Sequence, residues 1–94
     1  MNVGLCILEI HLSSAQSLKD KRRVLKGLKD RLRSRFNVSV AEIDHQDLWQ
    51  RATLGIVSIS EARQPLESCF TQIRRILESE MPADLVEFEV EYLT

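Results

Sequence analysis

The sequence predicts an α+β domain of the ferredoxin-like, split-βαβ plan: a four-stranded antiparallel sheet with two helices on one face. Apolar periodicity alternates between strand and helix in the order β-α-β-β-α-β. Ninety-four residues suffice for one domain over 1–94 and no second. With 44% hydrophobic and 29% charged residues, three Gly and two Pro, the composition is that of a folded globular chain.

Val3–Leu12 (VGLCILEIHL) is apolar at nearly every position, as a central strand buried on both faces would be. Its even members Cys6, Leu8, Ile10 and Leu12 are wholly apolar, whereas Glu9 and His11 interrupt the odd set. The even set is therefore aimed at the helices. Ser17 offers an N-cap, with Asp20 three residues on resembling the partner of a capping box. Leu18, Val24, Leu25, Leu28 and Leu32 follow at helical spacing, an amphipathic helix of about five turns. Phe36 should pack at its end, and Asn37 can take the left-handed cap conformation that Gly usually supplies.

Val38–Asp44 is short and β-branched, and Gln50–Ser60 is a second such run; His45–Trp49 joins them as a hairpin connection. A second helix runs from about Glu61 to Ser79 with Leu66, Phe70, Ile73, Ile76 and Leu77 on one face. Pro65 fixes its first turn and Pro82 its stop. Leu85–Leu93 alternates, with Val86, Phe88, Val90 and Tyr92 on one face and Glu87, Glu89 and Glu91 on the other. Right-handed crossovers put both helices on one face of the sheet, and the first and third strands, the most apolar, occupy its middle.

Much chemistry known on this plan is excluded by specific absences. Cys6 and Cys69 form no CxxC, iron–sulfur or disulfide pattern and are expected to be buried reduced thiols. Ser13–Ser17 has no Gly to build an anion-cradling loop, and neither central strand carries an aromatic ring for base stacking. No cofactor, metal site or catalytic residue is assigned. No stretch approaches a membrane span, and no basic region precedes the first apolar run, so a cytoplasmic location is expected.

The charge is uneven. Ser17–Arg35 holds nine basic residues against two acidic, a local +7. The remainder, four basic against twelve acidic, carries −8. On a helical wheel Lys19, Arg22, Lys26, Lys29 and Arg33 form one stripe, and Arg22 to Arg33 spans about 16 Å, long enough to follow several phosphates. These five are the candidate nucleic-acid-binding residues; the opposing reading pairs them with Asp30, Glu78 or Glu80. The run Asp44-His45-Gln46-Asp47-Leu48-Trp49 sets two carboxylates beside an imidazole, but turn chemistry alone selects such residues, and no second cluster completes a site. Trp49 is expected to fold back onto the sheet rather than to serve as a stacking platform.

Val3, Leu5 and Ile7 should point away from the helices, joined by either Val57 and Ile59 or Leu54 and Ile56, with Trp49 covering part of the patch. An open apolar face of this kind suggests a partner surface, and a homodimer through this face or an edge strand is expected, the contact centring on Val3, Leu5 and Ile7 with the glutamates at a wet rim.

SLKDKRRVLKGLKDRLRSRFNVSVAE followed by DHQDLWQRATLG closely resembles the bacterial YlxP-like family, a domain of unknown function, over essentially the whole chain. Asp20 stands where Glu is commoner in that family. The resemblance implies a ferredoxin-like fold and offers no activity or catalytic residues. Genes of the family tend to lie among those of translation initiation and ribosome maturation, which points toward ribosomal RNA or the ribosome as partner. The alternative function is a protein–protein interaction module that uses the open sheet face and has no nucleic-acid role.

Overall fold

Ser17 starts the first helix as its residue type demands: its Oγ accepts the Asp20 N–H at 3.1 Å. Asp20 reaches back in turn, but to the Gln16 N–H (3.2 Å) rather than to the cap residue itself. In the computed structural model, which describes residues 1–80 and 83–94, the elements are β1 (Asn2–His11), α1 (Leu18–Arg35), β2 (Val38–Asp44), β3 (Arg51–Ser60), α2 (Arg63–Ser79) and β4 (Asp84–Tyr92). The order is the expected βαββαβ. The strands form one antiparallel sheet in the order β2-β3-β1-β4, with β1 and β3 central. The stop expected from Pro82 lies outside the described residues.

The even set of β1 does face the helices. Cys6, Leu8, Ile10 and Leu12 are buried together with Ala52, Leu54 and Ile56 of β3, against Leu25, Leu28 and Leu32 of α1 and Leu66, Phe70 and Ile73 of α2. Gly4 belongs to the same inward row. A Cβ there would come within 2.5 Å of Phe70 Cε2 and 3.3 Å of Leu66 Cδ2, so glycine is required by close approach. Gly4→Ala is expected to destabilise the domain by about 1–3 kcal/mol in urea unfolding, because the ring it meets is itself buried.

Two expectations are corrected. Asn37 takes no left-handed conformation: among the described residues only His45 (φ 62°) has a positive φ outside glycine. The helix instead ends on Phe36 in extended geometry, and the Asn37 amide donates to the Ile59 carbonyl at 3.3 Å. Val86 does not share the inward face of β4. A β-bulge between Glu9 and Ile10 of β1 pairs Ile10 with Leu85 and Glu9 with Glu87. Val86 is the extra residue and is exposed, while Leu85 packs against the core in its place. A similar shift in the β2–β3 register leaves Ile43 as the extra residue of β2.

Candidate nucleic-acid interface

The basic stripe of α1 runs beside its apolar stripe, along the flank next to β2. Arg22, Lys26, Lys29 and Arg33 line a single recess of about 360 Å3, shared with Asp30 and Glu42. Lys19 is exposed one turn before it. Lys26 is paired with Asp30 at 3.0 Å. Arg33 spends a donor on the Val40 carbonyl of β2 at 2.8 Å, which fixes its guanidinium beside that strand. Among the described residues Lys19, Arg22, Lys29 and Arg33 make no ion pair within 4.0 Å. Glu80 is engaged by Arg31 and Arg35, outside the stripe, and Glu78 by Arg74. Internal pairing therefore accounts for one stripe member, Lys26.

The basic run of α1 also hides a buried group. Lys21 is 1% exposed, on the same α1 face as Leu25, Leu28 and Leu32. Its Nζ donates to the His45 carbonyl at 2.6 Å and lies 2.7 Å from Glu42 Oε2. That oxygen is buried without an aligned hydrogen-bond donor, so charge attraction is what holds it. The His45 carbonyl also accepts the Leu48 N–H, the His45 N–H donates to Asp44 Oδ1, and His45 Nδ1 lies 2.9 Å from Thr53 Oγ1. A left-handed residue at a non-glycine position is thus tied to the helix through one ammonium. The sequence signal for it is the spacing 21, 25, 28, 32, which continues the apolar stripe back by one turn.

Beyond His45 the connection is open. Gln50 anchors it by donating from Nε2 to the Ser13 and Ala15 carbonyls, both at 3.1 Å. Trp49 is 53% exposed and, with Leu48, His11 and Arg51, borders a shallow recess of about 470 Å3. The ring is not folded away as the sequence favours: about half of its surface stays open. Arg51 is held by Glu9 at 2.9 Å, and its guanidinium keeps the Glu9 carboxyl below the usual carboxylate range. Among the described residues no three of His, Cys, Asp or Glu come together to hold a metal, and no helix is long and apolar enough to cross a membrane.

The model of a family described as a protein of unknown function, DUF503, matches residues 3–90. The chain belongs to the DUF503 family. Its similarity to "Uncharacterized protein YlxP" of Bacillus subtilis (strain 168) is 40% identity over 75 residues, covering 80% of this chain and 78% of that one. The de novo designed protein Foldit4 superposes at a TM-score of 0.55 with 18% identity, over 100% of this chain and 98% of that one; this likeness concerns the fold alone.

In this DUF503 domain the two thiols lie away from the basic face. Burial pushes Cys6 up to about 12 and raises Cys69 as well. Cys6 stays protonated in the folded chain at pH values where an unfolded thiol, at about 8.5, ionises, and the half-buried Cys69 shifts in the same direction. The unfolded state then binds fewer protons, so stability falls as pH rises from about 8.5 toward 12 and is unaffected by these groups below that window. Urea midpoints at pH 7.5 and pH 10 should show the drop, and Cys6→Ala should reduce the difference; identical midpoints would contradict the assignment.

Proposed function

We propose that this DUF503 chain is a non-enzymatic, cytoplasmic accessory domain that binds RNA through the exposed basic face of α1, ribosomal RNA being the first target to test. The observation that carries the reading is the recess where Arg22, Lys29 and Arg33 converge without ion-pair partners beside Lys26. Cations held along about 16 Å of a rigid helix can reach several phosphates of one strand, and their use releases counterions. The acidic remainder of the chain then disfavours any other orientation on a polyanion. Lys21 contributes stiffness rather than charge, since Glu42 neutralises it.

The test is fluorescence anisotropy with a labelled ribosomal RNA fragment at several salt concentrations. Arg22→Glu with Lys29→Glu should weaken binding and lower the log–log salt slope by about 1.5, roughly 0.7 to 0.9 for each phosphate no longer neutralised. No affinity at low salt, or a charge-reversed variant that binds like the parent, overturns the proposal. A second reading, a protein-interaction module, is favoured by the open sheet face. Ribosome co-sedimentation that survives nuclease and high salt would support it over the first.

A further inference from the structure

The face of the sheet turned away from both helices has a layout that the RNA reading does not use. Opposed pairs in the β1–β3 register put Val3 beside Ile59 and Leu5 beside Val57, and Ile7 beside Gly55. The choice left open by the sequence is therefore resolved in favour of Val57 and Ile59. Ile43, the extra residue of β2, lies across Gly55: its Cγ2 would be 3.3 Å from a Cβ built there, and Ile7 Cδ1 3.9 Å. Ile7, Ile43, Val57 and Ile59 are between 36% and 51% exposed. The result is a continuous apolar band along the middle of the sheet.

Its flanks differ. On the β4 side Glu89 pairs with Ile7 and Glu91 with Leu5, an exposed acidic row. On the β2 side Ser39 pairs with Val57 and Ala41 with Gly55, which are uncharged, and the one acidic residue of that row, Asp44, pairs with Thr53 at the end of the strand. We infer that this face binds a second copy of the chain, with the two-fold axis parallel to the strands and centred between β1 and β3. That axis lays apolar band on apolar band. It also carries Glu89 and Glu91 of β4 over the partner's uncharged Ala41 and Ser39, and leaves Glu87, which is level with Asp44 in the register, at the end of the contact. A two-fold across the strands would instead stack β4 on β4 and oppose like charges.

The area fits this occupant. The band offers on the order of 400 Å2 of apolar surface. A standard interface of roughly 800 Å2 per partner, a little over half of it apolar, needs about that much. Nucleic acid is disfavoured on the same face by Glu87, Glu89 and Glu91. Association here is independent of RNA binding by α1, which lies on the other side of the sheet.

Sedimentation equilibrium of the full chain tests it. The parent should be dimeric at tens of micromolar, and Val57→Glu should weaken association at least 100-fold while circular dichroism remains unchanged. Should Val57→Glu fail to fold, Ile59→Thr, a milder change at a strand position, should still weaken association about 10-fold. Glu91→Gln should leave the dimer within a few-fold of the parent, whereas a marked tightening would overturn the proposed axis. A monomeric parent at 100 μM overturns the inference altogether. So does a dimer indifferent to both Val57→Glu and Ile59→Thr.

Discussion

Lys21→Met is expected to cost the fold about 3 to 5 kcal/mol, read as a lowered urea midpoint at unchanged slope. The substitution keeps the length and the apolar stem of the side chain but leaves Glu42 with no cation in contact. Glu42 is 16% exposed at its side chain, so water relieves little of that charge. The converse variant, Glu42→Leu, leaves an ammonium at 1% exposure with the His45 carbonyl as its remaining partner, and should be similarly harmful. Replacing both should recover most of the stability, since a buried ion pair offsets little more than its own desolvation. A Lys21→Met protein as stable as the parent would mean that the Glu42 carboxylate reaches water or takes up a proton. Hydrogen exchange adds a local readout: amides of residues 45–50 should exchange faster in Lys21→Met, because the turn at His45 loses its tie to α1.

Phe70→Ala should be comparably severe, at about 3 to 5 kcal/mol. The ring is 2% exposed, meets Tyr92 edge-on at 6.3 Å between centroids, and fills the space over Gly4. The pair also permits a sharper test than either single change. Gly4→Ala is costly because of the Phe70 ring, so in a Phe70→Ala background the added methyl enters the cavity and its cost should vanish or reverse. A double-mutant cycle in urea should therefore give a coupling of about 1 to 2 kcal/mol. Additive effects would show that the strand, not the ring, moves aside.

Element order and the inward faces of β1, α1 and α2 were legible because each repeats a period over several turns or residue pairs. Leu25, Leu28, Leu32 and Cys6, Leu8, Ile10 needed no tertiary information. Val86 was illegible for the opposite reason: alternation from 86 to 92 is unbroken in the sequence, and the slip is imposed by pairing with β1. Asn37 failed because the chain enters β2 directly from an extended Phe36, with no need of a left-handed residue. Lys21 and Glu42 were legible in principle, each lying at an inward position of its element, but a run of basic residues disguised the first as one more surface charge. The convergence of Arg22, Lys26, Lys29 and Arg33 followed from the helical wheel alone. Their freedom from ion pairs did not, since it depends on where Glu78 and Glu80 are engaged.

Both outer strands carry an irregularity: Ile43 interrupts β2 and Val86 interrupts β4. A strand added to either edge would meet a backbone bent out of register after a few residues, so neither border templates further copies. Growth by sheet extension into filaments is blocked at both ends, and association through a face between two copies closes on itself. At the concentrations where small apolar-faced domains polymerise, this chain should stop at a finite particle, and light scattering over days at high concentration should stay flat.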